Sequence, residues 1–358
     1  MLTVFSLYKV GSGLCPTAFV STSATPLLLY FNFYTDKANR SEICPLLKTF
    51  DNIINLCYNL SKGGVDMSFN HFTEIIIKLS ATKKFIEATE QIKSYVNDLD
   101  RQTVIEIVKD IGTIPECIEA SSSSEKLFSK ASDCILARCF SELGLPSIAV
   151  NERGNSADIV ARSIHGYTLV ADAKTFRLSR TAKNQKDFKI DTLSNWRGSE
   201  HDFALLVAPY FQYPNTVSQI YSSALDKQVC LLSWEHILFL LVNNVAESDT
   251  LSLEAVWNAP VRLARDTRIA YADRMNCQFP YINQMLCDRI SIPVEKFNAQ
   301  LNNCKETIRS RGNYELEYLN TEKEAITALT RDEAIYELLK SKKVLERIST
   351  IEKFVSSL

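Results

Sequence analysis

Leu169-Val-Ala-Asp-Ala-Lys-Thr-Phe-Arg-Leu-Ser-Arg-Thr-Ala-Lys-Asn-Gln-Lys-Asp-Phe-Lys-Ile190 is the stretch from which the fold is read. It opens as a short apolar, β-prone run that ends in Asp172-Ala-Lys174. Side chains alternate along a strand, so this carboxylate and this ammonium leave on the same side, as neighbours. The part that follows carries Arg177, Arg180, Lys183, Lys186 and Lys189 against the single acid Asp187. Asn184 and Gln185 lie between them, so a phosphate-seeking face has amide readers set into it. A carboxylate able to hold a metal beside a lysine, followed at once by a basic polar segment, points to phosphodiester cleavage on nucleic acid.

Asp-x-Lys by itself is most often a surface ion pair on a strand. Its weight here comes from the upstream stretch Asn151-Glu-Arg-Gly-Asn-Ser-Ala-Asp-Ile-Val-Ala161. Asp158 opens a second short strand and Gly166 supplies a turn, which predicts a hairpin. Pairing brings Asp158 and Glu152 towards Asp172 and Lys174. Three acids at one end of a sheet repel each other unless a cation sits among them, and hard oxygen ligands favour Mg²⁺.

Asp158 followed by Asp172-x-Lys174 resembles the PD-(D/E)xK nuclease signature, with Ala157 where a proline often precedes the first acid. Longer runs carry the likeness further: Glu125-Lys-Leu-Phe-Ser-Lys-Ala131, Glu152-x-Arg-Gly-Asn155, Phe176 to Lys189 and Phe211-Gln-Tyr-Pro214. With Ser233-Trp-Glu-His236, Trp257-Asn258 and Thr330-Arg-Asp-Glu-Ala-Ile335, they are similar to type II restriction endonucleases over residues 67 to 358. The resemblance implies an α/β fold, a mixed sheet flanked by helices, with a restriction-endonuclease-like core and added N- and C-terminal helices. It also implies catalytic roles for Glu152, Asp158, Asp172, Lys174 and Asp187, with Mg²⁺ on Glu152, Asp158 and Asp172. DNA contacts would come from Arg177, Ser179, Arg180, Lys183, Asn184, Gln185, Lys186 and Lys189.

Further implications of the resemblance are a homodimer on double-stranded DNA and a cytoplasmic restriction-modification system with a methyltransferase as functional partner. The expected cleavage is at AAGCTT after the first A, leaving 5′ overhangs. A lysine acts as a base only where metals and burial lower its pKa, so positioning and charge stabilisation is the favoured duty of Lys174. Asp187 has a family counterpart near the scissile phosphate; its plain alternative is an acid balancing neighbouring lysines. Two rival readings remain: a PD-(D/E)xK nuclease of repair or recombination without that specificity, and a DNA-binding protein that has lost catalysis.

Net charge over the 358 residues is only −2, so a nucleic-acid surface has to be local, as the basic segment is. The ten cysteines show no Cys-x-x-Cys pair and no histidines at zinc spacing, which fits free thiols in a reducing cytosol. Residues 1–66 read as an N-terminal extension. An upstream start codon before Met67 is one explanation and a genuine extra element the other. Pro26 to Tyr34 is too short an apolar run to span a bilayer and lacks the order of a signal peptide.

Residues 67–120 carry apolar residues at helical spacing, with Asp100 as an N-cap. Residues 121–245 form the expected nuclease core, with a reading segment at 177–197, and 246–358 a mostly helical part. Serines 121–124 cap a helix whose first turns hold Glu125, Lys126 and Lys130. These either face the nuclease site or form a solvated turn. Phe203 to Ala208 and Val229 to Leu232 are predicted as a parallel pair joined through a helix. Arg262, Arg265 and Arg268 form a basic patch, and His236 reads as a satisfied core histidine.

Overall fold

In the computed structural model, which describes residues 8–10, 13–15, 67–150, 157–180, 185–215 and 218–357, the apolar runs lie in one five-stranded sheet. Strand β5 (Thr168–Ala173) pairs in parallel with β6 (Phe203–Ala208), which pairs in parallel with β7 (Val229–Ser233). On its other side β5 meets β4 (Ile159–Arg162) antiparallel, with Ile159 opposite Ala171, and β4 meets β3 (Ser147–Ala149). The order is β3-β4-β5-β6-β7, and the sheet is mixed. A separate unit, Met1–Tyr58, contributes the short hairpin of β1 (Tyr8–Val10) and β2 (Gly13–Cys15).

Both faces of the central strands are buried, which is why they read as continuous apolar runs. Leu169, Ala171, Leu205, Val207, Cys230 and Leu232 lie in one core. Helices α1 (Met67–Thr82), α2 (Phe85–Asp98), α3 (Arg101–Asp110) and α4 (Ser123–Glu142) supply a large share of the rest of it. Val170, Ala204, Leu206, Val229 and Leu231 point the other way, onto α6 (Ile190–Arg197) and α7 (Gln219–Asp226). The short α5 (Gln185–Phe188) precedes α6. Capping follows chemistry: Asp100 accepts from the Thr103 N–H at 2.9 Å and Ser122 from the Glu125 N–H at 3.1 Å.

Helix α8 (Trp234–Val242) starts directly from β7, with Ser233 and His236 in a reciprocal capping box. His236 Nδ1 accepts from the Ser233 N–H, so Nε2 carries the proton and donates to Asn283 at 2.7 Å. Burial pushes its pKa down to about 4, and it is a satisfied core histidine. Beyond it run α9 (Glu254–Trp257), α10 (Ala259–Arg265), α11 (Arg274–Arg289), α12 (Val294–Thr327), α13 (Arg331–Ser341) and α14 (Val344–Ser356). No helix among the described residues is long and apolar enough to cross a membrane.

Candidate active site

Two adjacent strands and one helix build the site. Asp172 is the fifth residue of β5 and is 2 % exposed. Asp158 immediately precedes β4, where its carbonyl accepts from the Val150 N–H at 2.8 Å, closing β3 onto the same end. Asp133, on α4, is buried beside them. One oxygen from each of Asp133, Asp158 and Asp172 lies within 4.8 Å of the others. Three carboxylate oxygens so close make a hard donor set that suits a divalent cation of the Mg²⁺ or Mn²⁺ type.

Two ammonium groups face these three acids. Lys174 pairs with Asp172. Its backbone is clamped from both sides, its N–H donating to Val207 at 2.7 Å and its carbonyl accepting from the Trp234 indole at 3.0 Å. Gly112 sits against that indole, where an added Cβ would lie 3.0 Å from both Trp234 and Pro209. Lys130, one turn before Asp133, donates to the Val150 carbonyl at 2.6 Å and lies 3.3 Å from Asp158 and 3.6 Å from Asp133. Burial is the main force raising the pKa of Asp172, partly offset by Lys174. Burial also raises Asp133 well above the ordinary carboxylate range, reinforced by the charge of Asp158.

The basic segment divides into anchored and outward residues. Arg177 turns inward: its guanidinium reaches Glu125 at 2.9 Å and the Pro115 carbonyl at 3.0 Å, and it also donates to the Ile118 carbonyl. Arg180 lies over the Phe176 ring at 5.3 Å and pairs with Asp187 at 2.7 Å. Ser179 is exposed, its N–H turned to Glu116 at 3.3 Å. Lys189 is exposed at a left-handed turn, φ 48°, between α5 and α6. Its charge is felt at Asp172, where it favours the ionised form. Glu152, Lys183 and Asn184 lie outside the described residues, and of Gln185 and Lys186 only the backbone is described.

The family model of the HindIII restriction endonuclease matches residues 70–355. The chain belongs to the HindIII restriction endonuclease family. A curated relative, the type II restriction enzyme HindIII of Haemophilus influenzae, is 42% identical over 284 residues, 79% of this chain and 94% of the relative. As a member of the HindIII family the chain is a type II site-specific deoxyribonuclease acting on DNA, in a family that uses divalent metal.

Asp133 was not among the residues singled out from sequence. Only the fold reveals it, since in α4 Ala131, Ser132, Asp133, Cys134, Ile135 and Leu136 are all buried in succession. An acid inside a run buried on every side has to meet a cation or donors. Of the alternatives for the helix start, Lys130 faces the site and Glu125 anchors Arg177.

Proposed function

We propose that this HindIII-family enzyme cleaves double-stranded DNA at AAGCTT after the first A, with Mg²⁺ at the pocket of Asp133, Asp158 and Asp172. The carrying observation is the convergence of these three carboxylates beside Lys174 in a chain so closely related to a type II restriction enzyme. Asp158 and Asp172 would hold the cation with Asp133 behind them, and Glu152 would join from the segment after Val150. When bound, the divalent ion supplies a water of lowered pKa and positive charge against the phosphoryl oxygens.

The water oxygen bonds to phosphorus, the P–O3′ bond breaks, the attacking water loses one proton and the departing oxygen gains one. Lys174, its backbone clamped by Val207 and Trp234, orients the water and neutralises charge gathering on the phosphate. Asp187, paired with Arg180, would act near the scissile phosphate. Lys183, Lys186 and Lys189 bind phosphates, and Asn184 and Gln185 read adenine edges in the major groove.

A homodimer places two such sites about a two-fold axis that matches a palindrome, so both strands are cut. The enzyme works in the cytoplasm, with a methyltransferase protecting host sites as a functional partner. Digestion of a plasmid of known sequence, with Mg²⁺ and with chelator, tests the proposal. Discrete fragments ending at AAGCTT, formed only with the metal, are expected. A smear, or fragments ending at another sequence, would overturn it.

A further inference from the structure

The pocket already holds a cation of the chain's own where the metal ligands meet. The Lys130 ammonium has three oxygen neighbours: the Val150 carbonyl at 2.6 Å, Asp158 at 3.3 Å and Asp133 at 3.6 Å. It donates hydrogen bonds to the Val150 carbonyl and to Asp158, and holds Asp133 as an ion-pair partner at a slightly longer distance. The group is largely enclosed, its side chain 14% exposed, and the carboxylates it touches belong to the cluster that lies within 4.8 Å. Lys174 covers the third acid, Asp172. Each of the three carboxylates thus has an ammonium partner before any ion enters.

We propose that Lys130 is a resident counter-ion that holds Asp133 and Asp158 in place in the metal-free protein and weakens divalent-metal binding by competing for them. The inference rests on the metal reading of the pocket given above. Three carboxylates within 4.8 Å, two of them buried and Asp158 half-buried, would repel one another with Lys174 alone for balance. Lys130 relieves that repulsion, and its bond to Val150 pins the end of β3, from which the segment bearing Glu152 departs. A divalent ion entering among the same oxygens meets the ammonium as a like charge a few ångströms away. The intact pocket is therefore stable without metal and binds metal less tightly than its three carboxylates alone would.

The test uses the full-length chain without DNA, titrated with Mn²⁺ by calorimetry and melted in chelator. Lys130→Met should bind Mn²⁺ at least about tenfold more tightly than wild type, since removing one charge near the ion outweighs a change of that size. It should melt below wild type in chelator and recover with saturating Mn²⁺. Lys130→Gln, which keeps a donor for Val150, carries the same prediction should the methionine variant fail to fold. Lys130→Arg should hold wild-type affinity to within about threefold, since the charge is kept. Neutral variants that bind Mn²⁺ no more tightly than wild type would overturn the counter-ion role while leaving the metal site standing. A wild-type chain that binds no Mn²⁺ would overturn both.

Discussion

The hairpin of β4 and β5 carries a buried carboxylate site at each end, and the two are built in opposite ways. At the turn, Glu247 is 7% exposed and among the described residues receives three neutral donors: the Ser163 hydroxyl, the Tyr167 hydroxyl and the Leu253 N–H at 2.6 Å. Trp257 in turn donates to the Tyr167 hydroxyl at 2.9 Å, so the knot is closed. At the open end, three carboxylates face two ammonium groups among the described residues. A buried acid among neutral donors is content as it stands, and it fastens the turn to the segment after α8. Acids that outnumber their cations keep an unmet demand for positive charge, which supports the proposal that the phosphodiester chemistry takes place at that end.

The sharpest way to break this comparison is to neutralise the open end. Asp172→Asn should cut plasmid cleavage by roughly 10³-fold or more, and Lys174→Ala by roughly 10² to 10³-fold, the scale of losing a preorganised charge on a transition state. Asp172→Asn should melt close to wild type in chelator, because burial already disfavours the charge that is removed. Substantial cleavage by either variant would detach the chemistry from this end of the hairpin.

Altering the turn end should do the reverse. Glu247→Ala leaves two hydroxyls and a backbone N–H buried without their acceptor, and stability should drop by roughly 3 kcal/mol in urea unfolding. Cleavage per folded molecule should stay within about twofold of wild type, since a surface or packing change remote from the chemistry removes no transition-state contact. A large loss of turnover in the folded fraction would mean that the two ends are coupled.

The sequence exposes much of this architecture because its elements are local. The short apolar, β-prone run from Leu169 to Ala173 marks β5, Gly166 at φ 90° turns the hairpin, and Asp158 and Asp172 follow to one end of it. The parallel pair of β6 and β7 is legible from two apolar runs separated by a helix. Asp133 is harder to read, since its place depends on how α4 packs against the hairpin, which no periodicity within the helix specifies. Arg177 shows the limit of counting charge. It stands in a run of cations, yet Glu125 and two carbonyls draw it inward, and only the fold reveals its direction.

One measurement sets the two ends side by side: thermal melting of wild type, Glu247→Ala and Asp172→Asn, each in chelator and in Mn²⁺. A ligand that binds only the folded state raises its melting temperature. Wild type and Glu247→Ala should rise by the same number of degrees, while Asp172→Asn should rise by much less. A full rise in Asp172→Asn, or none in Glu247→Ala, would contradict the assignment of metal chemistry to the open end of the hairpin.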